Sequence, residues 1–158
     1  MFKYTQKKHY KAKILVTQKK VWDLEFLKDQ YLLMREGFRN EYDSTKERID
    51  ALVSYKDLIT RMGMEKAKEM MKNPEKVHEA LRDKAENIQL SQEERDTIET
   101  LEKDIKAKTE DTERLKKQME TLDMQMEGPL PAGQNCLNEQ IEGLRTIGGL
   151  LKDKIKKL

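Results

Sequence analysis

The sequence predicts an all-α protein built from long helices, each carrying one narrow apolar stripe. Three observations lead there. Charged residues make up 39% of the 158-residue chain, against roughly 25% in an ordinary globular domain. The hydrophobic set reaches only 36%, with 3 prolines and 7 glycines, which argues against a thick core, a β-sandwich or a collagen-like chain. Apolar residues also recur at alternating three- and four-residue spacing over long proline-free stretches, which keeps one stripe facing a partner helix. The expected architecture is an elongated coiled-coil or helical hairpin bundle. Its long helices lie at about 18–62, 92–127 and 136–158.

Residues 1–17 read as a basic arm in front of a single helical domain over 18–158. Residues 1–20 hold Lys3, Lys7, Lys8, Lys11, Lys13, Lys19, Lys20 and His9, and no acid. The run Tyr10 to Val16 alternates briefly and then turns apolar, which suggests an extended docking arm or a short strand. A strand there would need partners from elsewhere.

The first long helix is the strongest pattern. Its three-and-four line is Leu24, Leu27, Tyr31, Met34, Phe38, Glu41, Thr45, Arg48, Leu52, Tyr55, Ile59 and Met62, with Gly63 as a helix stop. Short helices are expected in 64–90, one near 64–72 and one near 74–88. Asn73-Pro74 marks the start of the second, and Val77, Leu81, Ala85 and Ile88 give it an apolar face.

Ser91 with Glu94 three residues on is a capping-box signature for the next helix. Its line is Ile98, Leu101, Ile105, Lys108, Thr112, Leu115, Met119, Leu122 and Met126. The Gly/Pro segment 128–135 breaks it. The last helix resumes with Leu137, Ile141, Leu144, Gly148, Leu151, Ile155 and Leu158, widened by Ile147 and Leu150. Lysines 152, 154, 156 and 157 crowd its end, where cations favour the helix dipole.

The first and second long lines are apolar at both ends and polar in the middle. An antiparallel alignment that sets Thr45 against Thr112 also sets Ile59 near Ile98, Leu52 near Ile105, Phe38 near Met119 and Tyr31 near Met126. Polar layers of this kind fix register at some cost in stability.

The net charge of +2 hides an asymmetry. Beyond residue 20 the chain carries 25 basic and 30 acidic side chains, a net of −5. The leader is therefore a candidate contact for an acidic protein surface, an anionic membrane or phosphates. Lysine rather than arginine argues against base-specific readout. Trp22 stands off the apolar line beside Val21 and joins the lysines as a candidate partner contact.

The single cysteine, Cys136, cannot form an internal disulfide, and the expected compartment is reducing and intracellular. No secretory signal and no apolar run long enough to span a membrane occurs. His9 and His78 are the only histidines, so neither a zinc site of usual spacing nor a nucleophile triad assembles from Ser44, Ser54, Ser91 or Cys136. No cofactor or metal is expected.

These features suggest a non-enzymatic structural or adaptor subunit of a larger assembly, of the cytoskeletal, axonemal, kinetochore or trafficking kind, in the cytoplasm. It would pair, with itself or others, through helical stripes and be anchored by the basic arm. The alternative is a nuclear, nucleic-acid-associated subunit whose terminal lysines contact phosphates.

Overall fold

The computed structural model describes residues 2–83 and 88–158. Among these residues there are five helices: α1 (Phe2–Met62), α2 (Met64–Met71), α3 (Pro74–Arg82), α4 (Gln92–Glu127) and α5 (Leu137–Lys156). Among the described residues there is no strand, so the chain is all-α. It divides into two compact units. Unit 1 contains residues 1–38 and 117–158, and unit 2 contains residues 39–116.

In unit 1 the first part of α1 is lined in succession by the end of α4 and then by α5. Leu122, Met126 and Leu137 form a buried cluster against Leu24, Tyr31 and Phe38. Arg35 holds Asp123 through two bonds, Nε to Oδ1 at 2.6 Å and a terminal nitrogen to Oδ2 at 3.1 Å. That pairing matches the alignment in which Tyr31 is level with Met126 and Phe38 with Met119. Along α5, Arg145 donates to Glu25, and the Lys154 ammonium lies 5.8 Å from the Tyr10 ring centre. Residue numbers rise on α5 as they fall on α1, so the two helices run antiparallel.

The expected extended arm is corrected by this pairing. Residues 2–17 are helix, continuous with the rest of α1. The alternation at Tyr10, Ala12 and Ile14 misled, because the positions that turn inward are Tyr10, Ile14, Thr17 and Val21, at helical spacing. Once α5 supplies a facing stripe, helix is the cheaper way to bury them.

Unit 2 takes the rest of α1, the short helices and the start of α4. Leu58, Ile59, Ala67 and Val77 form its core, packed by Tyr55, Met62, Met64, Met70, Met71, Leu81, Ile98 and Leu101. Lys56 pairs with Glu102 at 3.1 Å, and the Met64 N–H donates to Glu94 Oε2 at 2.7 Å. With Lys56 of α1 against Glu102, and Met64 just past the end of α1 against Glu94 near the start of α4, α1 and α4 run antiparallel within the unit. Thr112 is buried, and its hydroxyl donates to the Thr109 carbonyl at 2.7 Å. Thr45 is half-buried.

Gly63 ends α1 with φ of 85°, a region that disfavours side chains. Glu94 ties the next start together. It accepts from the Ser91 N–H at 3.1 Å while its own N–H donates to Ser91 Oγ at 3.1 Å, the expected capping box, and it also accepts from Met64. These backbone donors, Ser91 first, hold the Glu94 carboxyl below its ordinary pKa. Asn73 caps α3 by position alone, with extended backbone and no side-chain bond.

The phase of the α1 stripe differs from the expected one. Residues 24, 31, 38, 45 and 52 turn inward as expected. Between them the structure uses Lys28, Arg35, Tyr42 and Ile49, while Leu27, Met34, Glu41 and Arg48 are exposed. The Arg35–Asp123 bonds account for this choice in unit 1, where Lys28 and Arg35 are half-buried. In unit 2 the chosen phase simply exchanges two charges for Tyr42 and Ile49. Two further corrections follow. Helix α3 ends at Arg82 and not at 88, because Asp83 turns extended, with ψ of 154°. Ile88 lies outside any helix, and Ala85 lies outside the described residues. Ile147 and Leu150 do not widen the buried stripe of α5. They are 49% and 58% exposed.

Candidate protein-docking surface

Of the expected stripe residues, Leu24, Tyr31, Phe38, Leu52, Ile59, Ile98, Ile105, Leu115, Met119, Leu122, Ile141, Leu144, Leu151 and Ile155 are buried or half-buried, while Leu27, Met34 and Leu158 are exposed. The residues that remain outside carry the interest. Among the described residues, all the large hydrophobics that stay exposed lie in unit 1 except Val53. The reason is geometric. A helix pair buries one stripe per helix, and α1 from Leu15 to Met34 is apolar on more than one face.

Three faces of α1 can be distinguished in unit 1. The first faces α5 and the end of α4. The second is a flank, where a groove of about 530 Å³ is lined by Ile14, Gln18, Val21, Trp22 and Glu25 of α1 and by Leu144, Arg145, Gly149 and Lys152 of α5. Helical periodicity puts Val16, Leu27 and Met34 on the opposite flank of α1, and Ile147 and Leu150 on the matching flank of α5. The third face points away from α5 and carries Leu15, Trp22, Phe26 and Leu33. Trp22 itself is 68% exposed and stands at the border between the groove and this outer face.

The basic residues are placed with equal clarity. Lys3, Lys7, Lys8, Lys11, Lys13, Lys19 and Lys20 are all exposed on α1. Because α5 runs antiparallel to α1, its terminal lysines, with Lys154 over Tyr10, reach the same end of unit 1. Two lysine tracts from opposite ends of the sequence thus form one basic end, where Asp153 is the one acid among residues 1–20 and 150–158. Each tract is evident in the sequence, but their meeting depends on α5 packing antiparallel to α1.

Among the described residues, Cys136 and the two histidines lie apart from one another. Cys136 is buried, and its thiol donates to Glu139 Oε1 at 3.3 Å. His9 and His78 are exposed on α1 and α3. Among the described residues no group of three or more His, Cys, Asp or Glu is placed to hold a metal ion. Among the described residues no helix is long and apolar enough to cross a membrane. Unit 2 has an open groove of about 760 Å³ whose walls include Arg61, Met62, Glu65, Met70, Asn73 and Asp83. Its lining is mostly charged, with Met62 and Met70, and includes no histidine, cysteine or serine. No family model, curated protein or solved structure matches this chain.

Proposed function

We propose that this chain is a non-enzymatic structural or adaptor subunit of a larger protein assembly. It docks helices of its partners along unit 1 and uses the basic end as an anchor on an acidic protein surface. One observation carries the reading: the exposed apolar side chains of α1 between Leu15 and Met34, continued on α5 by Ile147 and Leu150. Contiguous exposed apolar surface marks a binding site, and a helix laid on the flank would touch both helices at once. Lysines at the adjoining end would steer an acidic partner and set its direction.

The test is co-purification from native extract, with and without nuclease, using the wild type and a Val16→Glu/Leu150→Glu variant. The lysines are probed by Lys→Gln changes at 7, 8, 11 and 13. Deleting residues 1–20 would also strip α5 of its partner helix. A defined set of helical proteins that survives nuclease and is lost in the flank variant supports the docking reading. Equal capture by wild type and flank variant refutes it. The convergence of the two lysine tracts favours one second reading, a nucleic-acid-associated subunit. It requires binding that vanishes with nuclease and falls steeply with salt.

A further inference from the structure

The outer face of α1 has an internal symmetry. Leu15, Trp22, Phe26 and Leu33 are 66%, 68%, 66% and 61% exposed. At 100° per residue they fall within about 20° of one line. Their intervals are seven, four and seven residues, so the line reads the same in either direction about a point level with residue 24. Lys19 and Asp29 fill the remaining positions of the three-and-four pattern. They are equidistant from that point and opposite in charge. Among the described residues neither has an ion-pair partner.

We infer that this face binds a second copy of the chain, antiparallel, with the two-fold axis level with residue 24. The layers are then Leu15 on Leu33, Lys19 on Asp29 and Trp22 on Phe26, each formed twice. A symmetric contact requires a patch that is its own complement. The palindromic spacing and the reversed charges satisfy that condition. Parallel self-pairing would instead stack Lys19 on Lys19 and Asp29 on Asp29. With aromatics of ~200 Å² each, the four side chains leave on the order of 1,000 Å² of apolar surface for the pair, the lower range of specific interfaces. Near the axis, Glu25 is already held by Arg145, and Asp23 faces its own counterpart. This inference rests on the docking reading of unit 1 and names the occupant of its outer face, leaving the flank beside α5 for another helix.

Sedimentation equilibrium of the full chain, from micromolar to millimolar, tests it. The expected result is a monomer–dimer equilibrium. Lys19→Glu or Asp29→Lys alone weakens it at least ~10-fold, because like charges then meet in two layers. The double variant restores it, and Asp23→Asn tightens it. In a Cys136→Ser background, Leu15→Cys chains mixed with Leu33→Cys chains cross-link in preference to either alone. Circular dichroism confirms that these surface variants keep the fold. A monomer across the whole range overturns the inference, as does a dimer indifferent to Lys19→Glu or a preference for Leu15→Cys self-linkage. A monomer whose flank still captures helical partners refutes the symmetric dimer alone. A dimer with the expected charge pattern whose flank captures nothing refutes the adaptor reading alone.

Discussion

Replacing Leu58 with alanine tests whether the short helices act as a lid on α1. Leu58 lies outside the expected stripe, yet it is 0% exposed, as is Ile59 beside it. Its cover comes from the cluster that includes Ala67 of α2 and Val77 of α3. The substitution removes about three carbons, each worth ~0.8 kcal/mol when buried. The transfer loss is therefore roughly 2.4 kcal/mol, and the residual cavity adds to it within the ~2–5 kcal/mol range of such changes. Helices α2 and α3 span 8 and 9 residues and can settle partly into the gap, so about 3 kcal/mol is expected. Urea unfolding followed by circular dichroism gives the total. Native-state hydrogen exchange gives the location, with protection in Met64–Arg82 falling roughly a hundredfold. Val53→Ala, at a site 39% exposed on the same helix, is the control and should cost under about 1 kcal/mol. A loss at Leu58 as small as the control, or one spread evenly over the chain, would refute the lid.

Other expectations follow from single contacts. Leu52→Cys with Ile105→Cys, in a Cys136→Ser background, should form a disulfide within one chain under mild oxidation. Linkage between chains instead would contradict the α1–α4 alignment of unit 2. A double-mutant cycle on Arg35 and Asp123, whose side chains are 36% and 38% exposed, should give a coupling of about 0.5–1 kcal/mol that shrinks with salt; zero coupling at low salt counts against a role in choosing the stripe. Glu94 has a folded pKa below the ordinary 4.5, so its stabilising effect is present above that value and lost as pH falls through the lowered one. The stability gap between wild type and Glu94→Gln should accordingly close on acidification, and a gap that widens would show the sign to be wrong. Ser91→Ala should cost about 1 kcal/mol through the lost cap, read from thermal melting. The Cys136 thiol should react with a disulfide reagent far more slowly in the folded chain than in urea, since it is 1% exposed.

The fold class and much of the helical seam are legible in composition and spacing alone. Composition excluded a thick core, and three-and-four spacing located α4 and α5 almost residue by residue, because each is bounded by local signals, the Ser91 cap and the Gly/Pro segment 128–135. Ser91 and Glu94 announced the start of α4, and Gly63 the end of α1, because both signals are local. An antiparallel alignment of the α1 and α4 stripes could be drawn from matching apolar and polar levels, but the sequence left parallel and antiparallel pairing open and gave no sign that α5 packs along the start of α1.

Packing between distant segments made the choices between locally equivalent options. On α1 between Leu24 and Leu52 two phases are compatible with the same heptad positions. The selection of Lys28 and Arg35 over Leu27 and Met34 came with the salt bridge from Asp123, a residue distant in sequence. That selection left Leu27 and Met34 exposed, with Trp22 and Phe26 on the face turned away from α5. The fate of residues 2–17 depended equally on α5, since a lysine-rich segment commits to helix only when a facing stripe buries Tyr10, Ile14 and Val21. Burial of Leu58 required α2 and α3 to fold over it. In each case the local free-energy differences are small. A partner helix from elsewhere in the chain removes water from one alternative and not from the other, and that sets which face of α1 remains for binding.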